Sequence, residues 1–327
     1  MAAAFEDSAR TADHAGSVVD ISVIIPAYNA EQTLGEQLSA LRAQRPRVEW
    51  EVLVCDNGSG DGTRDLVSDL ARDWPELRLV DASQRRGAGA ARNIGAQVAR
   101  GELLLFCDAD DVIGDGWLEA MTAALRQHTL VAGRLEWSLL NSSSPMRLSL
   151  TVQDRELFTK WFMPGLPAAG SGNLGVRRGL FLGLDGFCEV TSTGEDVDFC
   201  WRAQLAGQPL IFVPESVMHV RKRDTLKGVW RQGFAYGRGD KWLMQRFAGV
   251  SPHQRSGASP SVEESVGSAP GHRGWRVWSR RVRRLLTARR PGDFADWAFT
   301  LSFALGTRFG LFRPPPELDL PIAEVQA

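Results

Sequence analysis

Two rhythms of hydrophobic and polar positions alternate along the first half of the chain. Short unbroken apolar runs, "ISVIIPAY", "EVLVCD", "LRLVD" and "LLLF", are separated by segments in which apolar residues return every three or four positions. The runs predict buried strands. Leu34, Leu38 and Leu41 stripe one face of a helix from Glu31 to Ala43, Leu66, Val67 and Leu70 a second, and Ala91, Ile94 and Val98 a third. Strands that are apolar throughout and alternate with helices imply an α/β domain, its mostly parallel central sheet covered by helices on both faces. Ligands of such sheets collect beyond the carboxyl ends of the strands. Asp56, Asp108 and Asp110 fall at those ends.

Past Trp117 the rhythm loosens. A helix to about His128 is followed by a strand, "LVAGRLEW", a polar turn from Asn141 to Pro145, and a Gly/Pro-rich loop from Pro164 to Gly172. "SGNLGVRR" reads as a strand lined by small residues. A helix opens near Gly194 in "TSTGEDVDFCWRAQLAG"; the strand "PLIFVP" and a Pro-Glu-Ser turn then lead to His219. The predicted division is a flexible tail over 1–19, a domain over 20–249, a Ser/Gly/Pro-rich linker over 250–274, helices over 275–312, and a tail over 313–327. In "WRVWSRRVRRLLTARR" one helical face carries Trp275, Trp278, Val282, Leu285 and Leu286, with arginines around the rest.

Composition narrows this picture. With 327 residues, 43% hydrophobic and 24% charged, the chain suits a globular protein with one catalytic-size domain and an appendage. A net charge of −1 gives no global field to attract nucleic acid, which is not an expected partner. Cys55, Cys107, Cys188 and Cys200 show no CxxC spacing and are expected as free thiols in a reducing compartment. The N-terminus lacks the apolar run of a signal peptide, and no stretch of about 20 apolar residues predicts a membrane span. The expected location is cytoplasmic.

Three groups of residues carry candidate chemistry. "LLLFCDADD" drives a buried strand into a cluster of carboxylates, whose mutual repulsion needs a positive partner such as a metal ion. Mg²⁺ and Mn²⁺ take hard oxygen ligands, and alternation turns Asp108 and Asp110 to the same side; Asp111 or Asp115 suits a helix cap instead. In "GEDVDFCWR", Glu195, Asp196 and Asp198 crowd a helix start. Three acids exceed what capping needs, which leaves one as a general base. His219 alone reads as structural, and gains interest as a nitrogen ligand only in this company. Third, "RRGAGAARNIGAQVARG" lacks the spacing of a dinucleotide fingerprint, yet a glycine loop with arginines at a helix start suits a phosphate; tight helix–sheet packing is its plainer reading.

Together "SVIIPAYNAEQTLGEQLSAL", "EVLVCDNGSGDGT", "RGAGAARNIGAQVARGELLLFCDADD" and "GEDVDFCWRAQLAG" with its following proline and His219 resemble the family 2 glycosyltransferases of GT-A fold. The resemblance runs from Val19 to about His219, and more weakly through "LKGVWRQGFAYGRGDKW", like bacterial non-processive members. It implies that Pro26, Ala27, Tyr28 and Asn29 border a nucleotide. Asp56 would accept a hydrogen bond from the base, uracil N3 or its equivalent, with Arg92 near the nucleotide or diphosphate. Asp108 would face ribose and metal, Asp110 would bind the metal, and His219 would complete the metal site. Asp196 would be the catalytic base, with Glu195 beside it.

The implied reaction is inverting transfer of a single sugar from a UDP-, dTDP- or GDP-sugar to a saccharide or lipid-linked acceptor, with a divalent cation (Mg²⁺ or Mn²⁺) as cofactor. One base without a second, nucleophilic carboxylate predicts inversion. Two departures stand out: Asn57 where many members carry a second aspartate, and no Q-x-x-R-W motif, which argues against processive synthesis. A nucleotidyltransferase and a non-catalytic glycan- or nucleotide-binding relative are the competing classes. Two readings of the basic helix also stand: it lies on the inner face of the plasma membrane, bringing the enzyme to lipid-linked acceptors, or it packs on the domain or a dimer partner. The oligomeric state is open.

Overall fold

The computed structural model describes residues 19–142, 151–250 and 291–318. The tail over 1–18, the linker from 251 and the basic segment to 290 lie outside the described residues, as do 143–150 and the last residues from 319. An eight-stranded sheet organises the rest. The four apolar runs form β1 (Ile21–Ala27), β2 (Trp50–Asp56), β3 (Leu77–Asp81) and β4 (Leu103–Cys107). They are joined by α1 (Leu34–Ala43), α2 (Thr63–Ala71) and α3 (Ala88–Val98), and lie parallel in the order β3-β2-β1-β4.

The second half extends this sheet. After β4 come β5 (Val112–Ile113), α4 (Trp117–Gln127), β6 (Leu130–Glu136), β7 (Phe158–Lys160), β8 (Met163–Ala168), β9 (Asn173–Arg177), α5 (Arg178–Gly183), α6 (Glu195–Leu205), β10 (Leu210–His219) and α7 (Leu226–Arg246). The sheet continues β4-β9-β6-β10-β5, with β9 antiparallel to both its neighbours and β5 antiparallel to β10. Alternate strand residues feed two cores. Val23, Ile25, Val52, Val54 and Leu105 pack with α1, α2 and α4; Ile24, Leu53, Cys55 and Phe106 pack with α3, α6 and α7. The helix α3 sits especially close, since a Cβ at Gly95 would meet Ile24 Cγ2 at 2.6 Å and Cys55 Sγ at 2.7 Å.

Some expectations need correction. The Gly/Pro-rich stretch after Met163 is a strand, because β7–β8 forms a two-stranded ribbon whose open edges tolerate proline. Its outward carbonyls are satisfied by α6: Trp201 Nε1 donates to Leu166 O at 2.8 Å, and Gln204 Nε2 to Pro167 O at 2.8 Å. "Pro-Glu-Ser" does not end its strand either. It is a bulge between Val213 and Val217, after which β10 resumes pairing with β6 through His219. Val98, predicted on the packed stripe of α3, is exposed at the helix end.

The described part of the C-terminal region is α8 (Pro291–Phe309), packed along α7. Small residues permit this contact. A Cβ at Gly237 would collide with the Phe303 carbonyl, one at Gly306 with the Phe234 carbonyl, and one at Gly233 with Ser302. None of the described helices is long and apolar enough to cross a membrane.

Candidate active site

A cleft of about 1560 Å³ opens beyond the carboxyl ends of β1 and β4. Pro26 lines it from the end of β1 and Tyr28 and Asn29 from the loop that follows; Arg92 from α3; Asp108, Asp110 and Asp111 from the end of β4; Glu195 and Asp196 from the start of α6. The two halves of the predicted chemistry, metal ligands and base, therefore share one cavity.

The carboxylates at the end of β4 form a ready donor set. Asp108, Asp110 and Asp111 each offer an oxygen, all within 4.8 Å of one another. Burial raises the Asp110 and Asp111 carboxyls above the usual range, and repulsion within the cluster adds to it; at Asp110 the nearby Arg223 opposes the rise. Hard oxygens held together against their own repulsion fit a divalent cation. Asp111, predicted as a helix cap, belongs to this group instead. The cap of α4 is Gly116, in the left-handed region at φ 70°, while Asp111 Oδ1 accepts from the Arg221 amide at 2.9 Å. The third acid in four residues was the available signal.

Arg92 links this group to α6. Its guanidinium bonds Asp108 and lies 3.6 Å from Glu195 Oε1, and its Nε and Nη1 are buried without a hydrogen-bond partner. At α6, burial pushes the Glu195 carboxyl up to about 7, the Asp196 charge adds to this, and Arg92 offsets part. Asp196 is also raised by burial, against hydrogen bonds from the amides of Val197 (2.8 Å to Oδ1) and Ser171 (3.2 Å to Oδ2). These bonds fix its carboxylate on the cleft wall. The third acid, Asp198, is consumed by the core, where Arg202 (2.7 Å) and Arg246 (3.1 Å) pair with it.

Three predicted residues do not line the cleft. Ala27 is buried in β1, where its carbonyl accepts from the Asn57 amide at 2.8 Å. Asp56 is fully buried; Arg64 Nη1 covers it at 2.9 Å, and the amides of Gly58 and Ser59 donate to it at 3.3 and 3.2 Å. His219 is not part of the carboxylate group. Its Nδ1 lies 2.9 Å from Glu136 Oε2, across the β6–β10 pair. Burial acts to raise Glu136, but bonds from His219 and the Leu139 and Ser138 amides outweigh it and bring the carboxyl to about 2.

The far wall was not legible in the sequence. Lys160 Nζ pairs with Asp240 Oδ1 at 2.7 Å, joining β7 to α7, and Tyr236 meets Phe299 of α8 edge-on with centroids 6.1 Å apart; all four line the cleft. They come from distant segments with no shared motif.

The family model for glycosyl transferase family 2 matches residues 22–182. The chain is 29% identical over 236 residues to the glycosyltransferase AglE of Haloferax volcanii, covering 70% of this chain and 76% of that protein. It is 30% identical over 124 residues to the UDP-Glc:alpha-D-GlcNAc-diphosphoundecaprenol beta-1,3-glucosyltransferase WfgD of Escherichia coli, covering 38% of this chain and 48% of that one. Among solved structures it resembles the mannosyltransferase PcManGT from Pyrobaculum calidifontis in complex with GDP-Man and Mn²⁺, with a TM-score of 0.61 at 20% identity, covering 88% of this chain and 87% of that one. The fold is that of the GT-A glycosyltransferases. The match to glycosyl transferase family 2 takes in most of the sheet and the carboxylates at the end of β4, and the activity class of the chain is glycosyl transfer.

Proposed function

We propose that this protein moves a single sugar, with inversion, from a nucleotide sugar to a hydroxyl of a saccharide or lipid-linked acceptor in cell-surface glycan or glycolipid assembly. The observation that carries this reading is the shared cleft: Asp110 and Asp196 line one cavity, with Arg92 between their two groups. Tyr28, 65% exposed, and Asn29 offer a wall for the base beside Pro26, with Ala27 buried behind them in β1. Asp56, buried under Arg64 and outside the cleft lining, would meet the base only if Arg64 left it. The Nε and Nη1 of Arg92, buried without a hydrogen-bond partner, suit the donor's diphosphate.

Asp108, Asp110 and Asp111 would hold Mg²⁺ or Mn²⁺, with His219 joining only by leaving Glu136. The cation supplies Lewis-acid neutralisation of the diphosphate oxygens. The protein's own work is the proton transfer. As the acceptor oxygen bonds to the anomeric carbon, the bond to the diphosphate breaks and its electron pair leaves with the phosphate; the hydroxyl proton passes to Asp196. Burial makes Asp196 a stronger base than a solvated aspartate, while the Ser171 and Val197 amides hold its direction. A UDP-, dTDP- or GDP-sugar is the donor class. WfgD, whose acceptor is a GlcNAc-diphosphoundecaprenol, supports a lipid-linked acceptor.

Release of nucleoside diphosphate, with and without EDTA, tests the reading. Cation-dependent release is expected, and Asp196→Asn lowers turnover by a factor of about 10² to 10⁴. Release of pyrophosphate instead would indicate nucleotidyl transfer. Wild-type turnover in Asp196→Asn would remove the base from the mechanism.

A further inference from the structure

After β10 the chain continues through Val220–Asp224, a strap along the cleft beside the carboxylates. It carries three consecutive cations, and the first two are held in place. The Arg221 amide donates to Asp111 Oδ1 at 2.9 Å, its Nε to the Asp110 carbonyl at 3.1 Å, and its Nη2 to Glu36 Oε2 at 2.8 Å. The Lys222 amide donates to Asn141 Oδ1 at 2.8 Å, and its ammonium lies 5.3 Å from the centroid of the Trp137 ring. Arg223 is held differently. Its Nη1 donates to Asp110 Oδ2 at 3.1 Å, and its side chain is 54% exposed. One carboxylate of the proposed cation site is thus already paired with a half-exposed protein cation.

That pairing cannot persist in the loaded site. A dication bound to Asp110 repels the guanidinium and takes the negative charge that holds it. The incoming diphosphate supplies new negative charge next to the same carboxylate, in a geometry that the guanidinium fork matches. A recess of about 150 Å³, bounded by Asp110, Arg221, Arg223, Tyr236 and Phe299, gives the side chain room to turn. The strap itself need not move, because the backbone amides of Arg221 and Lys222 are tied down.

We propose that Arg223 is an exchangeable counter-ion: it neutralises Asp110 while the donor is absent and swings onto the diphosphate when donor and cation bind, where it stabilises the leaving group. The inference rests on Asp108, Asp110 and Asp111 being the cation site. It assigns Arg223 opposite effects on two ligands, competing with the cation alone and cooperating with the nucleotide.

The test uses the full chain and its Arg223→Gln variant. Mn²⁺ binding without nucleotide is followed by the loss of the free-ion electron paramagnetic resonance signal. Binding of UDP or GDP at saturating Mn²⁺ is followed by calorimetry. Removing an exposed competing ion pair is expected to tighten Mn²⁺ about two- to fivefold. Losing a charged hydrogen bond to the diphosphate is expected to weaken the nucleotide about tenfold or more. Arg223→Lys should fall between the two, and Lys227→Gln, an exposed position outside the cleft, controls for net charge. A damaged fold lowers both affinities together, so only opposite changes support the exchange. Affinities unchanged, or moved in the same direction, overturn it. If the wild-type protein binds neither Mn²⁺ nor nucleotide, the cation site itself is wrong and the inference falls with it; if it binds both and the variant matches it, only the role of Arg223 is lost.

Discussion

Glu195 shows how much of this site is decided by individual environments. In an unfolded chain its carboxyl ionises at its ordinary value of 4.5, whereas burial in the native cleft lifts it to about 7. Between those values the native protein holds a proton that the unfolded chain releases. Its contribution to stability is therefore complete below about pH 4.5 and is lost as pH rises through about 7. Glu195→Gln keeps the shape and removes the titration. Urea unfolding in EDTA at pH 5 and pH 8 should find the variant gaining on wild type by up to about 3 kcal/mol at the higher pH. An equal difference at both values would mean Glu195 is ionised throughout. Other residues needed the fold before they made sense. Asn57, the departure from a paired aspartate, donates Nδ2 to the carbonyls of Ala82 (2.6 Å) and Arg85 (2.7 Å) and accepts from the Gly87 amide (2.8 Å). An aspartate has no protons for those carbonyls, so the amide is fixed by the loop that leads into α3. The partner of His219, Glu136, is 83 positions away, and no spacing rule joins them.

At the scale of elements, the first four strands and their helices were legible because each is a continuous apolar run or a single stripe, and their carboxyl ends located the acids. Strand β8 was hidden by two prolines, and the bulge in β10 by a third, because a turn and an edge strand share that composition. The seam between α7 and α8 was also missed, since the glycines that make it possible are separated in sequence from the carbonyls they admit. Gly237 is the sharpest case: a methyl group there meets the Phe303 backbone oxygen, and backbone cannot turn aside. Gly237→Ala is expected to cost about 1–3 kcal/mol by forcing the helices apart. Phe299, Thr300 and Phe303 would then shift from the cleft wall, while Pro26, Tyr28 and Asn29 on the other wall stay in place. The expected result is a raised acceptor KM with nucleotide affinity retained, against a Gly249→Ala control, where nothing lies within 4 Å of the added carbon. Loss of nucleotide binding with an unchanged acceptor KM would contradict this division of the cleft.

For the whole molecule, the catalytic cleft and the C-terminal region are joined by α8, which lines the cavity at Phe299 while Phe294 and Phe309, near its two ends, are exposed. The chain leading into α8 carries eight arginines from Arg273 to Arg290 and no acid between them. An acceptor whose sugar enters the cleft and whose lipid stays in a bilayer would need the cleft mouth held near the surface, the role proposed for the basic segment that precedes α8 in sequence. Each cation near anionic lipid adds about 1 kcal/mol, screened beyond about 10 Å at moderate salt. Deleting everything after Val250 would also remove α8 from the cleft wall and confuse anchoring with catalysis. Replacing Arg276, Arg280, Arg281, Arg283 and Arg284 by Gln in the full chain separates the two. Flotation with vesicles rich in anionic lipid should be lost, and wild-type flotation should fall as salt rises, while UDP or GDP binding with Mn²⁺ stays unchanged because the residues proposed for the donor lie at and after the ends of β1 and β4 and on α3. Salt-independent flotation that survives the five substitutions would exclude the arginines as the anchor and favour the alternative in which the segment packs on protein.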